Sequence, residues 1–473
     1  MSHTTSELLL PAGNFDKLKY AFAYGADAVY AGVPRFSLRT RENDFRKETL
    51  AEAIDYTHEL GKKLYLTMNI YAHNAKIKGF MDEMERVLQY GPDAMIMADP
   101  GLIHLARKEF PQLDIHLSTQ ANCTNWASAD FWQDQGVTRI ILSRELSLKE
   151  IAEIHEKVPD VELEAFVHGA ICIAYSGRCL ITNYMNNMDA NQGTCTNSCR
   201  WGYNFGQKSP SLLQLESEDV TQFPEPYQSP GDGFFLEEPK RPGQFFNMKE
   251  DEHGTYMMNA KDLCSIELIQ QMKAAGIVSY KIEGRTKSVY YAAMTARSYR
   301  KAIDDVEAGL PFDSKNLEDL IGIAHRGYIS GFYTKDPKEY GQNYADPSSQ
   351  DFTHQNAGMV IQWDPATELL EFEIKNQVRV GDTIEIISPP KLVTITIDAL
   401  FNARKKSVAV LHGGTGRGYL HLDQDPGEFT VIRKVLSLAR GVESGLEKSE
   451  NADKNGEALA DRVGFIDLQA LTK

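Results

Sequence analysis

Short apolar runs alternate with amphipathic stretches along the first 170 residues, and each run is stopped by polar or glycine residues. The runs predict strands at Leu8–Leu10, Ala28–Ala31, Leu64–Met68, Ala94–Ala98, Ile115–Ser118, Arg139–Leu142 and Leu163–Val167. Between them the apolar residues return every three or four positions, which is the spacing of one helix face. Phe15, Leu18, Ala21 and Phe22 do so behind Asn14, whose side chain can accept from the open N–H groups of a first helical turn. Leu50, Ala53, Ile54 and Leu60 make a second such face, stopped by Gly61. Phe80, Met84, Val87 and Leu88 make a third, stopped by Gly91.

Strands alternating with helices call for right-handed βαβ crossovers and a parallel sheet. An eighth strand at Tyr280–Glu283 and a last outer helix at Val289–Glu307 complete a closed, TIM-like (β/α)8 barrel over residues 6–345. An open doubly wound sheet is the alternative. The strand ends carry Pro11-Ala12-Gly13-Asn14, Gly32, Asn69, Asp99, Gln120 with Asn122, Ser143-Arg144-Glu145, His168-Gly169 and Glu283-Gly284-Arg285. In a parallel barrel every carboxyl end opens on one side, where ligands bind. Strands must end in something polar anyway, so this pattern marks a face rather than a reaction.

Between strands seven and eight the rhythm breaks for about 110 residues. An insertion over about 170–260 begins with four cysteines and runs into a Pro/Gly/Glu-rich stretch, reading as an elaborated loop over the active face. Past residue 354 helical spacing yields to alternation at Leu370–Ile374, Val380–Ile386 and Leu392–Asp398, which predicts a small β-barrel domain over 354–436. Gly413-Gly-Thr-Gly-Arg-Gly418 lacks the strand–loop–helix context of a phosphate cradle and reads as a hairpin loop. The polar, charged stretch 440–473 predicts a disordered tail.

Composition then narrows the function. A chain of 473 residues, 42% hydrophobic and 25% charged, is globular and longer than one ordinary domain. Its net charge of −16 gives no help to general polyanion binding, although a local basic groove is compatible with it. No apolar run approaches the roughly 20 residues that cross a bilayer. The start, Met-Ser-His-Thr-Thr-Ser-Glu, lacks the basic and apolar regions of a signal peptide, so a cytoplasmic location without membrane contact is expected.

In a reducing compartment six cysteines are not a disulfide framework. Four of them follow the spacing Cys172-x6-Cys179-x15-Cys195-x3-Cys199. Four thiolates hold either a structural zinc or an iron–sulfur cluster. Zinc folds commonly present two tight knuckles, and here only the last pair is that close. Spacing therefore favours a cluster and leaves zinc, or four unrelated thiols, open. Cys123 and Cys264 read as small buried residues. The chain shows no Walker loop, no dinucleotide fingerprint after a strand, no Gly-x-Ser-x-Gly elbow and no second histidine behind His58-Glu59 at metalloprotease spacing.

The run Glu164-Ala-Phe-Val-His-Gly-Ala-Ile-Cys-Ile-Ala-Tyr-Ser-Gly-Arg-Cys-Leu180 resembles the signature of the collagenase-like peptidase family U32. Asn191-Gln-Gly-Thr-Cys-Thr-Asn-Ser-Cys-Arg-Trp201 resembles that family's second cysteine pair. Leu9–Gly13, Tyr20–Tyr30, Ser143–Leu146 and Lys281–Lys287 agree as well, so the likeness spans about 6 to 435. Arg241-Pro-Gly243, Glu250–Tyr256 and Ala324–Tyr328 are similar to a tRNA-modifying branch of the family.

This resemblance implies oxygen-independent conversion of the tRNA wobble uridine to 5-hydroxyuridine. It implies prephenate as the hydroxyl source and a [4Fe–4S] cluster on Cys172, Cys179, Cys195 and Cys199. A hydroxylase of 23S rRNA or of a quinone precursor, or a collagenase-like peptidase, are the alternatives. The expected partner is the tRNA anticodon loop, whose unpaired bases are cheap to present to a pocket. The β-rich C-terminal domain is a candidate grip on that tRNA, and a purely structural role is equally open to it. An accessory protein is compatible with the sequence. Prephenate carries two carboxylates, so Arg144 and Arg285 at strand ends, with Arg39 and Arg41 on the second loop, are its candidate clamps. His168 is the candidate proton carrier and Glu283 a candidate catalytic carboxylate, while Asn69, Gln120 and Asn122 are candidate substrate contacts.

Overall fold

The computed structural model describes residues 6–38, 45–172, 174–182, 191, 196, 198–200, 261–334 and 352–436, with short strands between 204 and 255. Cys195, Arg39, Arg41 and the expected tail at 440–473 lie outside the described residues.

Eight strands, β1 (Glu7–Pro11), β2 (Ala28–Gly32), β3 (Lys63–Met68), β4 (Ala94–Met97), β5 (Ile115–Leu117), β6 (Arg139–Ile141), β7 (Glu162–Ala170) and β8 (Ile277–Ile282), pair in parallel in chain order. β8 pairs with both β7 and β1, so the sheet closes into a barrel. Its outer helices are α1 (Phe15–Ala23), α2 (Lys47–Glu59), α3 (Asn74–Leu88), α4 (Pro100–Glu109), α5 (Trp126–Asp134), α6 (Leu148–Lys157), the short α7 (Ile269–Ala274) and α8 (Val289–Glu307). A further helix, α9 (Lys315–Ile321), packs against α8.

Local chemistry starts these helices where the pattern placed them. Asn14 accepts from Lys17 N at 3.0 Å, and Ser147 and Glu150 close a reciprocal capping box on α6. The strands read as nearly continuous apolar runs because both faces are covered, as in β2, where all five residues are buried.

The chain after the cysteines returns to the barrel wall. Asp262–Cys264 pairs antiparallel with the end of β7, and Tyr328–Ile329 runs parallel along its other side. Residues 354–435 form an antiparallel sheet curled about a core of its own, including Leu370, Phe372, Ile384, Ile386, Leu400, Leu420 and Ile432. The glycine-rich segment 413–418 links Val410–Leu411 to Arg417–His421. Those strands pair with different neighbours, so it is a crossing loop rather than a hairpin turn.

This domain docks on α1, α8 and α9. Tyr24 Oη donates to the carbonyls of Ile387 (2.7 Å) and Phe429 (2.9 Å), and Arg433 pairs with Asp319 at 2.8 Å. Ile387 and Val431 join the barrel's own core.

Candidate active site at the barrel mouth

The carboxyl ends of the strands surround a cavity of about 150 Å³. Cys172, Cys179 and Cys199 line it, together with Asn69, Gln120, Arg144, Glu283 and Arg285. Eight residues singled out from the sequence therefore meet at one place, although they are spread over more than two hundred positions of chain.

The cysteine loop is fastened to the rim. Glu145 accepts from Ser176 N (2.8 Å) and Ser176 Oγ (3.1 Å), and Asn122 Nδ2 donates to Ser176 O (3.1 Å). Gly177, at φ +71°, lies so close to the Gln120 carbonyl that a Cβ there would overlap it. Asn122 itself has a left-handed backbone (φ 56°), which asparagine tolerates better than most residues. It serves as a strut for the loop and does not line the cavity.

Asn69 is likewise engaged. Its Oδ1 accepts from Leu38 N (3.1 Å) and its Nδ2 donates to Ser118 Oγ (3.0 Å), tying the second loop to the fifth strand's end. Arg144 donates to Ala170 O (2.6 Å), lies 3.5 Å from Glu283 Oε2 and stacks its guanidinium 3.9 Å over Phe166. Arg285 donates to Leu38 O, and its guanidinium lies 6.0 Å from the Tyr30 ring.

His168 departs from the expectation. In β7 Phe166 pairs with Lys281 and His168 with the very next residue, Ile282, so Val167 is an extra residue in the ladder. Such a bulge re-aims the side chain that follows it. Strict alternation would have turned His168 inward with Glu164 and Phe166. Instead it is buried outside the barrel among Tyr291, Tyr299 and Tyr328, with Nδ1 3.4 Å from Tyr299 Oη and Nε2 3.5 Å from Tyr328 Oη. Burial first, then the nearby Lys287 charge, pushes its pKa down to about 3, so it stays neutral at ordinary pH. It is not placed to move a proton in the cavity.

Cys123 and Cys264 are also kept from the site, with burial pushing their thiols up to about 11 and about 12.

Lys281 lines the cavity and was not among the residues singled out. Its Nζ pairs with Glu164 Oε1 at 2.6 Å and lies 4.3 Å over the Tyr30 ring. Burial lowers its pKa although Glu164 opposes the shift. Stepping back two residues along β8 from Glu283, on the same strand face, would have found it.

Cys172, Cys179 and Cys199 all line this cavity and no histidine does so among the described lining residues, a donor set that suits a thiolate-bound metal centre. The loop that bears Cys172 and Cys179 is pinned to the rim as such a centre requires.

The chain matches the Peptidase family U32 model over residues 13–343 and the Peptidase family U32 C-terminal domain over 353–433, and it belongs to this family. Among characterised relatives it is 47% identical over 438 residues to tRNA hydroxylation protein P of Escherichia coli, covering 89% of this chain and 94% of that one. The protein of the same name in Haemophilus influenzae is 45% identical, with the same two coverages, 89% and 94%. The tRNA hydroxylation protein P1 of Bacillus subtilis is 35% identical over 84% of this chain and 87% of its own.

Proposed function

We propose that this chain hydroxylates tRNA, converting the wobble uridine to 5-hydroxyuridine without molecular oxygen and with prephenate as the hydroxyl source. The observation that carries the reading is the meeting of thiols and guanidinium groups in one cavity, in a chain 47% identical to a tRNA hydroxylation protein.

Replacing C5–H by C5–OH removes two electrons from the base overall, so a redox centre suits the reaction. Cys172, Cys179, Cys195 and Cys199 would hold a [4Fe–4S] cluster, which when bound supplies electron-transfer chemistry beside the pocket. Arg144 and Arg285, which both line the cavity, bind carboxylates of the donor. Tyr30 and Phe166 form apolar walls against which a planar group can stack. Glu145 and Asn122 hold the cysteine loop at the rim of the cavity. Anticodon bases are already single-stranded, so presenting one to a pocket this small costs little. The described helices include none long and apolar enough to cross a membrane. A peptidase has less support, since no histidine lines the described part of the cavity to activate a nucleophile.

The test is nucleoside analysis of tRNA by mass spectrometry from a strain lacking the gene, complemented with wild type or with each cysteine changed to alanine. The hydroxylated uridine should vanish without the gene, return with wild type and stay absent with the variants. Its presence in the deletion strain would end the tRNA reading. Retention of the nucleoside with all four cysteines replaced would end the cluster's role. Prephenate labelled with ¹⁸O at its hydroxyl should carry the label into the nucleoside.

A further inference from the structure

Barrel interiors are normally filled by branched apolar side chains. This one carries a line of charges. Arg139 joins Glu7 (2.5 Å) and Glu164 (3.4 Å), and Glu164 meets Lys281 Nζ at 2.6 Å. The side chains of Arg139, Glu164 and Lys281 are 6%, 0% and 4% exposed, so these are interior charges and not rim pairs. Their signs alternate along the line: acid, base, acid, base.

A buried ion chain is on average no more stabilising than an apolar filling of the same volume. A stability role therefore does not account for it, and its two ends show where it could act. The lower end reaches Glu162, a half-exposed carboxylate at the amino-terminal rim. The upper end is Lys281, in the wall of the mouth cavity beside Arg144 and Arg285.

An ammonium has three donor hydrogens. Glu164 takes one at 2.6 Å, and the face of Tyr30 at 4.3 Å attracts the cation without accepting a full hydrogen bond. This leaves donor capacity at a wall that already carries two guanidinium groups.

We propose that Lys281 docks a carboxylate of an anionic small molecule in the mouth cavity, and that Glu164, held in turn by Arg139, is the positioning residue that keeps the ammonium charged and aimed. Burial disfavours the charged lysine and Glu164 opposes that shift. An arriving carboxylate supplies the second counter-charge. The site should thus prefer a dicarboxylate, with one group for Lys281 and one for the arginines, over a monocarboxylate. The inference rests on the functional reading only for the choice of prephenate as probe.

The experiment is calorimetric titration of the full chain, purified anaerobically, with prephenate and with the monocarboxylate phenylpyruvate. The main variant is the double substitution Lys281→Met, Glu164→Gln. It removes one charge of each sign, leaves Arg139 with Glu7 and Glu162, and so keeps the interior neutral; an unchanged melting temperature checks its fold. Loss of one charged hydrogen bond corresponds to roughly 10- to 150-fold weaker prephenate binding. Lys281→Arg should recover part of that loss. Phenylpyruvate should bind wild type more weakly than prephenate and respond less to the double substitution.

Prephenate binding within about twofold of wild type in the folded double variant would overturn the assignment. So would a wild-type protein that binds no prephenate. The first outcome leaves the proposed function untouched, the second also removes prephenate as the hydroxyl source, and the tRNA substrate itself is decided separately by the nucleoside analysis. Persistence of the hydroxylated uridine in the deletion strain, together with prephenate binding that the double substitution weakens, would leave Lys281 assigned and the tRNA reading refuted.

Discussion

Replacing Gly177 by alanine should loosen the proposed cluster site while leaving the barrel folded. Gly177 sits at φ +71°, where an L side chain costs roughly 1–2 kcal/mol. The added Cβ would overlap the Gln120 carbonyl, a main-chain atom in the helical turn Thr119–Ala121 that follows β5. Crowding of that kind typically costs about 1–3 kcal/mol more, for a total near 2–5 kcal/mol. Against this stand the two hydrogen bonds from Ser176 to Glu145 and the one from Asn122 to Ser176. Two bonds to a carboxylate and one between neutral groups are together worth roughly 4–7 kcal/mol. The strain thus cancels much of what fastens the loop, and none of it falls on the barrel core. The loop opens before the barrel does. Iron release to a chelator, followed by absorbance, should accelerate at least about tenfold, since each 1.4 kcal/mol of opening is a factor of ten. The melting temperature should move by only a few degrees. Gly61→Ala is the control: its φ of +66° is similar, but nothing lies within 4 Å of the new Cβ, so it should leave iron release unchanged. Equal release rates from Gly177→Ala and wild type would refute the loop-strain argument.

Two further substitutions probe the scaffold. His168 is held neutral with a pKa near 3, whereas in the unfolded chain it titrates near its ordinary value of about 6.5. Between those pH values the unfolded state binds more protons, so this contribution is intact above about pH 6.5 and stability falls as the pH is lowered, by about 2 kcal/mol at pH 5. Urea melts at pH 7 and pH 5 should show a smaller loss for His168→Gln than for wild type, and parallel losses would contradict the assignment. Some slope will remain, because buried His116 is also held well below its ordinary value. Tyr24→Phe removes the donor shared by Ile387 O and Phe429 O, and should cost about 1–2 kcal/mol of stability in urea without changing tRNA hydroxylation. A neutral result there would mean that apolar contacts alone dock the C-terminal domain.

The barrel was legible because its strands are apolar on both faces and each runs into polar residues, a pattern that needs no long-range knowledge. The cysteines were legible for a related reason, since thiols crowded into one polar loop have few explanations. Arg144, Gln120, Glu283 and Arg285 could be named as strand-end residues because in a parallel barrel every such end faces the same way. Which strand-end residue points where was another matter. The extra residue Val167 turns His168 away from the cavity, and a bulge is a property of the pairing between β7 and β8, invisible in either strand alone. Asn69 and Asn122, polar residues at the right ends, spend their hydrogen bonds on holding loops.

What the sequence by itself determined, then, is the set of elements and the face on which chemistry is gathered, because hydrophobic periodicity and strand polarity are local. Only the tertiary structure decided that Glu7, Arg139, Glu164 and Lys281 form one line through the barrel, leading to the cavity. A charge within an apolar strand reads as an interruption until its counter-charge arrives from a strand more than a hundred residues away, and that meeting is set by barrel closure and not by any neighbour in the chain.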